Sequence, residues 1–146
     1  MLFVFSAHAE EDFNTNLISK ISEILKTEPP VKVEIEFMVQ EKLQNEYEKY
    51  LFTSCLRTTK GNVKYCQDYS SDSKVFIYGL WIPEEPGHFH AKIYEKAGMD
   101  TIIHEYLHWW LHYRTEPNGV INNEQMVQYL TSLVITSPTF LKWLGG

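Results

Sequence analysis

His104-Glu105-Tyr106-Leu107-His108 is the stretch of this chain whose residue types and spacing could do chemistry. On a helix, residues four apart lie one turn above each other, so both imidazoles would leave the same face and could share one ion. Zinc suits such a pair, because it takes neutral imidazole nitrogens at about 2.0–2.1 Å and prefers four donors. Glu105 is rotated around the helix from His104. It could meet a water on the ion without being a ligand, accept its proton, and return that proton to a leaving nitrogen. Chance would produce this pattern in roughly one chain of such composition in forty, so the motif needs context. The context is an apolar one: Ile102, Ile103, Tyr106, Leu107, Trp109, Trp110 and Leu111 leave the helix almost no polar face. Such a helix is central and buried. Two histidines and a glutamate without a partner there would be unfavourable by several kcal/mol, and a cation removes the difficulty.

A catalytic zinc also needs a third protein ligand, and His112, Glu116 and Glu124 follow downstream. An H-E-x-x-H-x-x-G-x-x-H arrangement would require glycine at position 111 and histidine at 114; Leu111 and Arg114 exclude it. His112 lies too far along the helix from His104, and Glu116 falls at its fraying end. Glu124 opens the next helix behind a turn long enough to bring it back antiparallel, and is the expected ligand. A first-turn glutamate also complements a helix dipole. A donor for a developing oxyanion could be Tyr113, Tyr129, His112 or Arg114, and nothing selects among them. His88 and His90 are spaced to share one side of a strand; they could bind a metal or substrate, or be a solvated loop feature.

His104-Glu-x-x-His108 followed by a glutamate on the next helix resembles the gluzincin metallopeptidases. Asp100-Thr-Ile-Ile-His-Glu-Tyr-Leu-His108 with Ile121-Asn-Asn-Glu124 is similar to active-site segments of the thermolysin-like branch. The string His104 to His112, with Asn123-Glu-Gln-Met-Val-Gln-Tyr-Leu130 and an apolar stretch ending Ser137-Pro138, resembles the small ImmA/IrrE-type peptidases more closely. The overall length is similar to that of the minimal gluzincins. The resemblance runs from Asp100 to Pro138 and implies a zincin-like fold acting on a peptide or protein substrate. It also implies a cleft rimmed by a sheet-edge strand, the place Ala91–Glu95 holds in chain order. Those relatives often carry a small residue and then Asn or Asp after the ligand glutamate, where this chain has Val127 and Gln128. A carboxylate orienting a ligand histidine is therefore missing from that position.

The elements that must position these groups follow from periodicity. Met1–Phe5 reads as a short buried strand, and Phe13, Leu17, Ile18, Ile21, Ile24 and Leu25 as a helix stopped by Pro29-Pro30. Val31–Phe37 alternates apolar and charged residues, a strand buried on one face. Leu43, Tyr47, Tyr50 and Leu51 mark a second helix; Asn62–Tyr69 and, more strongly, Val75–Tyr78 are strand candidates. Trp81–His88 reads as a loop and Ala91–Glu95 as a strand ending at Gly98. Asp100 or Thr101 would cap the helix that runs through Tyr113. Pro117-Asn-Gly119 turns the chain, Asn122 or Asn123 caps a helix over Glu124–Ile135, and Pro138–Gly146 holds a final short turn. The apolar tail Phe140–Leu144 could complete the core, fold across the cleft or mediate self-association. The expectation is one α+β domain over residues 1–146, with a mixed sheet, a central buried active-site helix and a following helix that carries the third ligand.

Composition bounds the alternatives. A chain 44% hydrophobic and 14% aromatic is too apolar for disorder. A net charge of −6 with 13 scattered Lys and Arg speaks against a nucleic-acid face. No apolar stretch approaches a membrane span, and Met1–Phe5 is too short for a signal peptide, so a cytoplasmic protein is the expectation. Cys55 and Cys66 could form a disulfide, as in an oxidising compartment or a hyperthermophilic host, or stay separate buried thiols. The expected activity is zinc-dependent peptide hydrolysis. Its rivals are a catalytically weak or inactive zinc protein that binds a partner in the cleft, and a hydrolase of a different amide.

Overall fold

A computed structural model of the protein describes residues 7–72, 75–114 and 124–146. The expected strand Met1–Phe5, the turn at Pro117–Gly119, the caps Asn122 and Asn123, and Glu116 lie outside those residues. The alternation around Val33 and Ile35 becomes β1 (Lys32–Met38), which pairs in parallel with β3 (His88–Tyr94); β2 (Gly79–Ile82) pairs antiparallel on the other side of β3. Among the described residues the result is a three-stranded mixed sheet of order β1-β3-β2.

Each face of this sheet has its own helices. Phe89, Ala91 and Ile93 of β3 face a core with Leu17, Ile18 and Ile21 of α1 (Ala7–Ile24) and Ile103, Tyr106, Leu107 and Trp109 of α4 (Met99–Tyr113). Val127 and Val134 of α5 (Glu124–Ile135) and Phe140 of α6 (Pro138–Gly145) close that core. One polar chain crosses it. The Tyr106 hydroxyl donates to Ser22 Oγ at 2.5 Å, and Ser22 Oγ donates to the Ile18 carbonyl at 2.8 Å. On the opposite face, α2 (Gln40–Thr58) packs Leu43 on Ile77 and Leu80, and Glu46 pairs with Lys92 of β3 at 3.0 Å. The six helices and mixed sheet among the described residues make the chain an α+β protein.

Several sequence expectations are corrected. Asn62–Tyr69 is not a strand; it lies in α3 (Val63–Asp72) and the residue before it. The Asn62 side chain accepts from the Tyr65 N–H at 3.1 Å in the manner of a cap, and a Cys55–Cys66 disulfide ties α3 to α2. Val75–Tyr78 stays irregular because Gln40 takes the backbone of Ile77: its Nε2 donates to the Ile77 carbonyl at 2.7 Å, and its Oε1 accepts the Ile77 N–H at 3.0 Å. The strand begins only at Gly79, so Trp81 and Ile82 belong to β2 rather than to a loop. Ala91–Glu95 is not at the sheet edge: β3 is the central strand, and the edge facing α4 is β2. Gly98, not Asp100 or Thr101, stands at the N-cap of α4. The tail folds as α6 with Phe140 in the core and Trp143 stacked on Phe13 at 6.2 Å, so its inner side completes the packing against α1. No helix among the described residues is long and apolar enough to cross a membrane.

Candidate metal centre

On α4, His104 and His108 meet Glu124, the first residue of α5. His104 Nε2 lies 2.9 Å from Glu124 Oε2, and His108 Nε2 lies 2.8 Å from Glu124 Oε1. Two imidazoles one turn apart thus straddle a single carboxylate, and the three donor atoms lie within 4.8 Å of one another. A tetrahedral ion with bonds of about 2.0 Å has donor–donor edges of roughly 3.3 Å, so the triad need open by only a few tenths of an ångström to admit zinc. The donor set fits. Two imidazoles and one carboxylate also leave a fourth position for a water or substrate. The rings are mostly buried, at 21% and 14% side-chain exposure, while Glu124 is 67% exposed. Burial pushes the His104 pKa down, against the pull of the nearby Glu124 carboxylate, which favours the neutral imidazole a metal requires.

Glu105 is only 7% exposed and lies on the flank of α4 beneath β2. The Trp81 backbone N–H donates to its carboxylate, but burial first, and the negative Glu124 second, push its pKa up to about 8. The approach of β2 is close because residue 79 has no side chain. A Cβ there would sit 3.0 Å from Glu105 Cγ, 3.0 Å from Thr101 Cγ2 and 3.1 Å from Glu105 Oε1. Gly79→Ala is therefore expected to displace Glu105 and to destabilise the fold by about 1–3 kcal/mol, with zinc uptake by the histidines retained. Chemical denaturation and metal titration of the variant check this; an unchanged denaturation midpoint would mean that β2 has room to spare.

Trp81 lies on the same face of β2. Its ring is parallel to that of His108, with 6.4 Å between centroids, and 5.2 Å from that of His112. Its buried indole N–H has no hydrogen-bond partner among the described residues. Sequence reading missed both Gly79 and Trp81. A glycine inside a strand is a signal of close backbone approach, whereas nothing local marks Trp81.

The four candidate oxyanion donors separate. Tyr113 donates its hydroxyl to the Glu84 carbonyl at 2.5 Å, and the Arg114 guanidinium lies 4.7 Å over the Trp109 ring. His112 is exposed one turn beyond His108, and Tyr129 is exposed on α5. Val127 is fully buried and Gln128 exposed. His88 and His90 are strand residues, and their side chains leave the opposite face of the sheet from α4, where they meet Glu34. Compared with models of known protein families, with curated proteins and with solved structures, the chain has no match in any of the three.

Proposed function

We propose that the protein is a zinc-dependent peptidase of gluzincin type and zincin-like fold, with His104, His108 and Glu124 as ligands and Glu105 as general base. One observation carries the reading: two Nε2 atoms on adjacent turns converge on one carboxylate, with a second, buried carboxylate beside them. Bound in this triad, the ion would polarise a carbonyl and make water nucleophilic near neutral pH. Glu105 takes a proton from the attacking water and later delivers it to the leaving nitrogen. The Trp81 N–H holds that carboxylate in place. Among the described strands β2, not β3, is the edge beside α4 that an extended peptide could join.

A non-catalytic zinc protein is the second reading, favoured by Gln128, an exposed amide where the resembling peptidases hold an orienting side chain. A cytoplasmic setting has to accommodate the Cys55–Cys66 disulfide, which persists in oxidising compartments and in the cytosol of hyperthermophiles. The test is a screen of peptides and non-peptide amides with protein stripped by chelator and reloaded. Peptide cleavage lost on stripping and restored by zinc is the expected result. A folded protein that takes up zinc at the triad but cleaves nothing would favour the second reading, and one that takes up none there would defeat both.

A further inference from the structure

We propose that Glu34, His88 and His90 hold a second divalent metal ion, a structural one, on the face of the sheet turned away from α4. Parallel pairing sets Glu34 of β1 opposite His90 of β3. His88 Nε2 lies 3.1 Å from Glu34 Oε1, and His90 Nε2 lies 3.4 Å from Glu34 Oε2. One carboxylate again spans two imidazole nitrogens, as Glu124 does on α4. The two rings are nearly parallel, 6° apart with centroids at 5.7 Å, as expected for side chains two residues apart on a strand. Glu34, His88 and His90 are one of two groups of three or more potential ligands among the described residues.

The hydrogen bonding of His90 calls for positive charge at its Nε2. The ring is buried, and its Nδ1 lies 3.0 Å from Glu84 Oε1, a bond that requires a proton on Nδ1. A neutral ring with that tautomer turns a lone pair at Nε2 toward Glu36 Oε2 at 2.7 Å and Glu34 Oε2 at 3.4 Å. Lone pairs do not meet carboxylates at such distances without a cation between them or a second proton on the ring. A carboxylate on the far nitrogen is also how metal-bound histidines are commonly oriented. Charge balance points the same way. Glu34, Glu36 and Glu84 surround the two imidazoles, and among the described residues the lysine that reaches them is the exposed Lys32, 3.7 Å from Glu34. A divalent ion on Glu34, His88 and His90, with the Glu36 carboxylate close by, neutralises what remains. It would clamp β1 to β3. Glu84 would extend the clamp to the β2–β3 loop, whose Glu84 carbonyl already accepts from Tyr113 of α4.

The inference does not depend on peptidase activity, because its readouts are stoichiometry and stability. Chelator-stripped protein dialysed against zinc is expected to retain two equivalents per chain by atomic absorption. His104→Ala with His108→Ala should retain one, and zinc should still raise its melting temperature. Adding Glu34→Gln or His88→Ala to that variant should remove both effects. If the double histidine variant does not fold, Glu34→Gln alone should lower the count from two to one. Retention of a single equivalent that Glu34→Gln and His88→Ala leave unchanged would overturn the proposal. So would a folded double variant that takes up no zinc, leaving His90 as a charged ring held by its carboxylates.

Discussion

Glu105→Gln is expected to abolish peptide cleavage and, in the metal-free protein, to increase stability above neutral pH. Removing a general base lowers kcat/KM by roughly 10²–10⁴-fold. Zinc uptake should be unchanged, because the proposed ligands are untouched and the amide oxygen can still accept from the Trp81 N–H. The stability effect follows from burial. The Glu105 carboxyl is pushed from 4.5 to about 8 on folding, so the folded state binds its proton more tightly than the unfolded chain does. That contribution is complete below about pH 4.5 and is lost as pH rises toward 8, in total ~5 kcal/mol. A glutamine carries no such proton. In chelator, urea midpoints of the parent should therefore fall between pH 5 and pH 9 more steeply than those of the variant. Zinc should narrow the gap, because a nearby cation favours the ionised carboxylate. Parallel pH profiles for parent and variant would show that Glu105 is not buried as a charge-sensitive group, and cleavage by the variant at the parent's rate would remove it from the chemistry.

What could be read from the sequence was local. The helical spacing of His104 and His108 needs only one turn of α4, and the periodicity from Glu124 to Ile135 marks α5 with the bounds the structure has. Glu124 was reachable as the first acid of the next helix, and its carboxylate does meet both imidazoles. The errors were non-local. Val63-Lys-Tyr-Cys-Gln-Asp-Tyr69 is rich in strand formers, yet packing on α2 and the disulfide from Cys55 make it helical. β2 was hidden because Gln40, from a distant helix, occupies the backbone of Ile77 and delays the strand. The central place of β3 depends on β1, from an early segment, joining its far side, and no pattern within Ala91–Glu95 reports that. The second histidine pair was half-visible for the same reason. His88 and His90 share a strand, but the carboxylates that give them meaning come from β1 and the β2–β3 loop.

Glu124→Gln separates a metal ligand from a helix-end charge. Glu124 is the one member of the triad that does not come from α4, and its side chain is 67% exposed, so little packing depends on it. If its role were only to complement the dipole of α5, the substitution would destabilise by about 0.3–1 kcal/mol and leave zinc affinity alone. As a ligand, it should matter more to the metal than outer groups that merely orient a ligand, whose loss weakens binding about 10–100-fold. The expected result of competitive chelator titration is thus a loss of zinc affinity beyond about 100-fold at nearly unchanged stability of the metal-free protein near pH 5. A second effect should accompany it. The Glu124 charge is the next cause after burial of the raised Glu105 pKa, so neutralising it lets that pKa fall. In Glu124→Gln the alkaline loss of stability of the metal-free protein should be smaller and end at a lower pH, and that difference should vanish when Glu105→Gln is already present. Weakened zinc binding without that coupled pH shift would leave Glu124 as a ligand but remove it from the electrostatics of the base; unaltered zinc binding would take it out of the site.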